Sequence, residues 1–159
     1  MIRPNEITLI PEKTCSVTGH RKVNNDLDVE RLKRGFLYVI ERGYDTFLTG
    51  CAVGFDTICY KILKEIRKEK DIKIIGCIPC LNQDARFSDL QKIEYREMLD
   101  NLDEKILISE KYTPACMNIR NKYMVDNSTV TFSYLRENYG GTFNTVGMAK
   151  KKGNTVYGL

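Results

Sequence analysis

The sequence is poor in histidine, tryptophan and proline, and it has no long apolar run. It contains one histidine, no tryptophan and four prolines among 159 residues. Its 11 glycines are also too few for a collagen-like chain. No apolar run approaches the ~20 residues that a membrane helix needs, and the start, Met1 to Glu6, lacks the apolar core of a signal peptide. We therefore expect a cytoplasmic protein with no membrane partner.

The residues that are present are typical of one globular domain. Hydrophobic residues make up 42% of the chain and charged residues 29%. A chain of this length buries roughly two thirds of its unfolded surface, so it needs neither disulfides nor metals to hold its core together. We predict a single domain over residues 1–159. Its six cysteines are predicted to be free thiols, because the cytoplasm keeps thiols reduced.

The charge balance is only mildly basic. Lysine and arginine number 25 against 21 acidic residues, which gives a formal net charge of +4. This excess suits an anionic small ligand at least as well as a nucleic acid. The basic stretch 61–73 is interrupted by acidic residues and is typical of a solvated helix face, and Lys150 to Lys152 are expected to close the last helix. Charge alone does not choose between the two, and we expect a small-molecule ligand as the partner and do not expect nucleic acid.

Short β-branched or apolar runs alternate with helical periodicities. Strands are predicted at 13–18, 46–48, 72–78, 105–109, 128–133 and 155–157, and helices at 26–42, 55–66, 88–101, 115–126 and from 140 onwards. The run 72–78 is too apolar to have one face in water. Strands that alternate with helices indicate βαβ units. The predicted fold is α/β, a single doubly wound, Rossmann-like domain whose mainly parallel sheet is flanked by helices.

In such a sheet the ligand binds beyond the carboxyl ends of the strands. The segments at that edge carry the candidate ligand-binding residues Gly19, His20, Arg21, Gly50, Gly54, Asp56, Pro79, Gln83, Gly140, Gly141 and Thr142. Glycine just before a helix leaves backbone amides free to bind a phosphate. The alternative is that each glycine is an ordinary turn or cap residue. The spacing from Gly50 to Asp56 matches neither the dinucleotide fingerprint nor a Walker A loop.

Three further features have competing interpretations. His20 and Arg21 are predicted to contact phosphate, although a loop histidine can simply bond to backbone. Arg120 and Asn121, on the helix after the fourth strand, are candidate ligand contacts or part of a solvated face. Cys77 and Cys80 have thioredoxin-like spacing but end a strand, and zinc would need two more ligands. We predict buried, inert thiols and no metal site.

An ordered set of motifs runs through the chain. It comprises Thr18-Gly-His-Arg21, Thr49-Gly-x-x-x-Gly-x-Asp56, Pro79-x-x-x-Gln83, Tyr112-Thr113, Arg120-Asn-x-x-Met-Val-Asp126 and Gly140-Gly-Thr142. This set resembles the YpsA-like (DUF1273) family of the SLOG superfamily, Rossmann-like domains related to the Lonely Guy phosphoribohydrolases and to the DNA-processing protein DprA. The resemblance covers about residues 13–158. It implies a nucleotide or nucleotide-derived ligand, cradled by Gly50 to Gly54 and Gly140 to Thr142, with no further cofactor required.

The resemblance also frames the choice of function. Lonely Guy enzymes carry a Pro-Gly-Gly-x-Gly-Thr-x-x-Glu motif whose glutamate is catalytic, and this chain has Tyr139-Gly-Gly-Thr-Phe-Asn-Thr145 at that place. Asp56 and Asp126 are the remaining candidate carboxylates, with Asp56 the candidate catalytic residue. We therefore predict binding or sensing of the ligand. The alternatives are a hydrolase of an N-glycosidic or phosphoribosyl bond and a DprA-like module for single-stranded DNA. A homodimer is expected by analogy with related folds.

Overall fold

Six strands and five helices alternate in the computed structural model, which describes residues 1–159. The strands are β1 (Thr14–Gly19), β2 (Thr46–Thr49), β3 (Lys73–Ile78), β4 (Glu104–Leu107), β5 (Val130–Tyr134) and β6 (Thr155–Gly158). The helices are α1 (Val29–Glu41), α2 (Phe55–Arg67), α3 (Asp89–Asn101), α4 (Cys116–Asp126) and α5 (Gly140–Lys152). Two short 3-10 turns, Pro4–Glu6 and Pro11–Lys13, precede β1.

The strands form one all-parallel sheet in the order β4-β3-β2-β1-β5-β6. This confirms the predicted doubly wound α/β fold. The chain builds outward from β1 to β4 and then returns to place β5 on the other side of β1, where Gly19 pairs with Tyr134. The strand order therefore reverses between β1 and β5. In open α/β sheets this reversal opens a crevice beyond the carboxyl ends of the strands.

The sheet is covered on both faces. Within β3, Ile74 and Ile78 belong to a core cluster of 21 residues, whereas Ile75 and Cys77 belong to a cluster of five on the other face. This alternation follows from the period of two along a strand. From Ile74 to Ile78 both faces of β3 are buried, as the apolar sequence predicts, and Lys73 at its start is exposed. All six cysteines are buried and unbridged, and no helix has the length and apolarity to span a bilayer.

One helix end differs from the sequence-based expectation and another agrees with it. The helix predicted from residue 26 begins at Val29, because the Asp28 side chain accepts the Arg31 amide at 3.0 Å and caps the helix there. At the other end of the chain, Lys150 to Lys152 form the last turn of α5, as expected, and Lys152 also reaches a second helix. Its Nζ donates to the carbonyls of Val125, Asp126 and Ser128, so it satisfies carbonyl groups at the end of α4.

Candidate functional site

A cavity of about 350 Å³ lies where the strand order reverses. We call it the switch-point cavity. Its walls are the segments after β1, β2 and β5 and one face of α4, which presents Met117, Arg120, Asn121 and Met124 at helical spacing. Of the residues that the sequence singled out, it brings together Gly19, His20, Arg21, Gly50, Asp56, Arg120, Asn121, Gly140, Gly141 and Thr142.

The first turn of α5 forms one wall of this cavity. The helix begins after Tyr139, whose side chain makes no capping hydrogen bond, and its first turn contains no acidic residue. Gly140 has a φ of 91°, which favours glycine, and a Cβ at Gly140 or Gly141 would meet no atom within 4 Å. Because the first N–H groups of a helix have no intrahelical acceptor, this wall presents free donors at the positive end of the helix dipole.

His20 is fixed on the cavity wall by the segment after β5. Its Nε2 accepts the backbone N–H of Arg136 at 2.7 Å, so the neutral ring carries its proton on Nδ1. Arg136 also donates to Asp26, which accepts the Tyr134 hydroxyl at 2.7 Å. These hydrogen bonds, from Arg136 first and then Tyr134, hold the pKa of Asp26 below its usual value. The network joins the loops on the two sides of the strand-order reversal.

Two arginines line the cavity in different ways. The Arg120 guanidinium is buried and its Nη1 donates to the carbonyls of Gly50 at 2.7 Å and Cys77 at 3.2 Å. Its Nε donates to the Asn121 side-chain oxygen at 2.7 Å, which leaves the Asn121 amide nitrogen without a partner. Arg120 therefore fastens the ends of β2 and β3 to α4 and is not on a solvated face. Arg21 is exposed, and its guanidinium makes no hydrogen bond or ion pair.

Asp56 is a buried carboxylate at the start of α2. Its Oδ2 accepts the Ala52 amide at 3.1 Å. Burial raises the pKa of Asp56 to about 6, although the Arg120 charge and the amides of Ala52 and Gly50 act in the opposite direction. A carboxyl group with this pKa can be protonated or ionised near neutral pH. The carboxyl group is therefore suited to exchange a proton with a molecule in the cavity.

The structure corrects the list of candidate carboxylates. Asp126 lies on the exposed side of α4, where it pairs with Lys122 at 2.5 Å, and does not line the cavity. Glu137, which the sequence reasoning missed, lines the cavity from the segment between β5 and α5. No motif marks it; its place three residues before Gly140, in the segment that leads into the glycine turn at the start of α5, is the signal that could have found it.

Three of the predicted glycines allow close packing. A Cβ at Gly54, whose φ is 85°, would lie 2.2 Å from the Arg21 carbonyl oxygen. A Cβ at Gly19 would lie 2.4 Å from the Phe55 ring, and one at Gly50 would lie 2.6 Å from Arg120 Nη1. Gly54 does not line the cavity. It lets the loop after β1 rest on the start of α2, so it shapes the cavity without facing it.

Pro79 and Gln83 lie outside the switch-point cavity. Pro79 is buried at the end of β3. Gln83 is buried behind Gly50, where its Nε2 donates to the Gly50 carbonyl at 2.9 Å and its Oε1 accepts the Tyr95 hydroxyl at 3.2 Å. Gln83 lines a second cavity of about 480 Å³, which we call the adjoining cavity. It extends over the segment from Cys80 to Gln91 and reaches Tyr112.

Cys77 and Cys80, which have thioredoxin-like spacing, are poorly suited to redox chemistry or to metal binding. Cys77 is buried, and its burial raises the pKa of its thiol to about 12. Cys80 is buried as well, and desolvation raises its pKa. Thiolates react and bind metals, whereas neutral thiols do so poorly. No group of three histidine, cysteine or acidic side chains is arranged to hold a metal ion.

Sequence comparison identifies relatives over most of the chain. The sequence model described as the YspA SLOG family (YpsA) matches residues 17–157. A protein of Bacillus subtilis (strain 168), described as the uncharacterized SPbeta prophage-derived protein YoqJ, is 35% identical over 120 residues. That alignment covers 66% of this chain and 69% of YoqJ.

Two solved structures share the fold. DNA processing protein A (DprA) from Streptococcus pneumoniae superposes with a TM-score of 0.63 at 16% identity, over 94% of this chain and 50% of that chain. DprA from Helicobacter pylori, described as having a unique single-stranded DNA binding mode, gives the same TM-score and identity over 94% of this chain and 66% of that chain. The chain thus spans half of the first DprA and less than two thirds of the second.

Proposed function

Because this chain belongs to the YspA SLOG family, we propose that it binds a nucleotide or a nucleotide-derived ligand, with phosphate in the switch-point cavity. The main support for this proposal is the first turn of α5. Its uncapped amides, at glycines with open space around them, form a wall of the cavity that the unpaired Arg21 also lines. Backbone amides at a helix start bind phosphate oxygens, and a guanidinium adds a charge-assisted fork.

The other walls supply donors for the rest of such a ligand. The Nδ1–H of His20 and the free amide nitrogen of Asn121 belong to side chains that line the same cavity. Its volume of about 350 Å³ falls in the range of small-molecule sites. Glu137 is the one exposed carboxylate on the wall, and a carboxylate oxygen accepts hydrogen bonds from sugar hydroxyls.

We favour binding or sensing over turnover as the role of this site. Hydrolysis of a ribosyl bond needs a carboxylate at the sugar. The start of α5 carries no acidic residue at the place of the Lonely Guy glutamate, and Asp56 already accepts a hydrogen bond from the loop that it supports. Glu137 is the one exposed carboxylate on the wall, and we assign it to binding the sugar hydroxyls. A bound ligand would therefore act as a signal, in a protein that we place in the cytoplasm, where nucleotides are abundant.

The test is thermal unfolding of the protein with a panel of nucleotides, ADP-ribose, NAD and phosphoribosylated bases. A ligand at a hundred times its dissociation constant adds about 2.7 kcal/mol, which is a shift of roughly 5 to 10 °C for a chain of this size. The Arg21→Ala variant should lose most of the shift, and Lys151→Ala, on the exposed end of α5, should keep it. Absence of a shift with the whole panel would contradict the proposal.

A hydrolase is the second candidate, and Asp56 favours it. Its pKa of about 6 and its position in the cavity fit a general acid or base, and Glu137 supplies a second carboxylate. Release of free base from a ligand of the panel, followed by chromatography, tests this function. It predicts loss of turnover in Asp56→Asn with retained binding. Recovery of every bound ligand unchanged would exclude it.

Single-stranded DNA is the third candidate, because DprA of Helicobacter pylori shares the fold and is described as binding it. Such binding weakens steeply with salt, since each phosphate contact releases counterions. Anisotropy of a labelled oligonucleotide at two salt concentrations tests this. We expect weaker binding than that of the small ligand, because the formal net charge is only +4. Light scattering of the same samples tests whether the protein is the homodimer that related folds suggest.

A further inference from the structure

The adjoining cavity is a neighbour of the switch-point cavity. Arg21 and Met117 line both. The buried Gln83 lies between them, because it lines the adjoining cavity while its Nε2 holds the carbonyl of Gly50, which lines the other. A ligand whose phosphate lies in the switch-point cavity can therefore extend past Arg21 and Met117 into the adjoining cavity.

The walls of the adjoining cavity suit a flat aromatic group. Phe87 and Tyr112 contribute two aromatic rings, and Val53 and Met117 contribute apolar surface. The Phe87 ring is held edge-to-face against the buried Tyr95, with 5.5 Å between the ring centroids. It therefore offers a stacking surface that is already ordered before a ligand arrives, which lowers the entropic cost of binding.

The charged and hydrogen-bonding groups of the adjoining cavity indicate which kind of aromatic ring it can bind. Arg21 and Arg86 are the charged residues on the wall, and no carboxylate lines the cavity, so a cationic ring is disfavoured. The side-chain amide of Asn82 makes no hydrogen bond, and the Gln91 side chain uses only its oxygen, which accepts the Ser88 amide at 3.0 Å. Free carboxamide groups pair with the donor and acceptor edges of nucleobases.

We propose that the adjoining cavity is a base subsite, so that the ligand class is a nucleotide and not a simple sugar phosphate. The base stacks on Phe87 and its edge meets the amides of Asn82 and Gln91, while the sugar passes Arg21 and Met117. This inference rests on the proposed function, because it takes the phosphate position in the switch-point cavity as its starting point.

The test compares two classes of probe by isothermal titration calorimetry. The probes are the four common ribonucleoside 5′-monophosphates and ribose 5-phosphate, which lacks a base. The tightest of the four nucleotides should bind the wild type at least 10-fold more tightly than ribose 5-phosphate. Phe87→Leu, which keeps apolar volume but removes the ring, should weaken that nucleotide by roughly 10-fold and leave ribose 5-phosphate unchanged. Phe87→Tyr should restore the nucleotide affinity.

Matched variants separate the outcomes. Leu90→Ala, on an exposed part of α3 outside both cavities, should bind both probes as the wild type does. Arg21→Ala should weaken both. Unchanged nucleotide affinity in Phe87→Leu, or equal weakening of both probes, overturns the base subsite. Ribose 5-phosphate that binds as tightly as every nucleotide overturns it too but leaves the phosphate site standing, whereas no binding of any probe overturns both proposals.

Discussion

At the scale of single residues, Arg21 and Arg120 differ in every contact that they make. Arg120 is buried and donates to two backbone carbonyls and to Asn121. Arg21 is exposed at the cavity with no partner. Removal of a buried guanidinium leaves its carbonyl acceptors in the interior without a hydrogen bond, which destabilises the folded protein. Arg120 therefore stabilises the fold, and Arg21 is available to a ligand.

The two arginines predict opposite mutant phenotypes. Arg120→Met should lower the free energy of unfolding by about 2–4 kcal/mol, because the carbonyls of Gly50 and Cys77 lose a buried donor. Arg21→Ala should change it by less than about 0.5 kcal/mol, as exposed substitutions do, while it weakens ligand binding. Urea unfolding measures both variants. Equal destabilisation by the two substitutions would contradict this assignment.

Asp56 predicts a pH-dependent difference in stability. Burial raises its pKa from 3.8 to about 6, so the folded state favours the protonated carboxyl. The stability gained from that proton is fully present below pH 3.8 and is lost as the pH rises through about 6. Asp56→Asn cannot ionise, so its unfolding free energy relative to wild type should rise by about 1 kcal/mol from roughly pH 5 to roughly pH 8.

Urea unfolding of both proteins at several pH values measures this difference. Glu137→Gln is a matched control, because Glu137 lies on the same cavity but is exposed. This variant removes a carboxyl group from the cavity wall without removing the buried one. A gap between Asp56→Asn and wild type that stays constant, or that widens toward acid, would show that burial does not control this carboxyl group.

The sequence predicts which residues meet at the site better than what each of them does. Residues that directly follow parallel strands converge at one edge, so the proximity of His20, Asp56 and Gly141 follows from the strand order along the chain. The structural role of Arg120 does not follow, because its acceptors lie 70 and 43 residues away. Nor does periodicity separate the open Gly141 from the tightly packed Gly54.

At the scale of elements, the start of α2 supports the loop after β1. The helix has no side-chain cap at Gly54. The Phe55 amide instead donates to the His20 carbonyl at 3.2 Å, so the loop that carries His20 and Arg21 caps the helix. The contact is close because Gly54 has no Cβ and adopts a φ of 85°. The position of two candidate ligand contacts thus depends on a glycine that does not line the cavity.

Gly54→Ala should therefore damage both stability and binding. The new Cβ would lie 2.2 Å from the Arg21 carbonyl oxygen, and the alanine would have to adopt a positive φ. We expect the free energy of unfolding to fall by about 2–4 kcal/mol. Gly147→Ala is the control: it lies inside α5 with no atom within 4 Å of its Cβ, so it should stabilise by about 0.5–1 kcal/mol. Thermal unfolding and ligand titration compare them. Normal ligand affinity in Gly54→Ala would contradict the supporting role.

Periodicity is sufficient to predict the strands and helices of this chain but not their arrangement. The apolar face of α2 and the alternation along β3 are local patterns, and the structure has both elements where those patterns place them. The strand order depends on which edge of the sheet each later strand joins. Local sequence patterns do not predict that choice of edge. The same limit applies to Ile2, whose bridge to Ile106 in β4 involves a single residue with no surrounding strand pattern.

At the scale of the whole molecule, the six cysteines are distributed through the interior. Cys15, Cys51 and Cys59 belong to the larger core cluster, and Cys77 belongs to the smaller one on the other face of the sheet. Desolvation by burial raises the pKa of each of these thiols. They therefore behave as small apolar side chains of the core.

The native protein should accordingly react slowly with a thiol reagent. Treatment with dithionitrobenzoate near pH 8 should label few or none of the six cysteines in the folded protein, because all six side chains are buried and the reagent cannot reach them. All six should react in concentrated guanidinium chloride, which serves as the control. Rapid native labelling of Cys77 or Cys80 would instead support the redox chemistry that their spacing suggests.

The hydrogen bond from the Arg136 amide to His20 makes this histidine a spectroscopic reporter of the cavity. The chain has a single histidine, so its nitrogen NMR spectrum contains one pair of imidazole resonances, and both originate at the strand-order reversal. Nε2 faces the Arg136 amide, and Nδ1 carries the proton. A ligand that accepts this proton would shift mainly the Nδ1 signal, whereas a ligand that breaks the hydrogen bond from Arg136 would shift mainly the Nε2 signal. A ligand that binds at the histidine and one that displaces the loop behind it can thus be distinguished at one side chain.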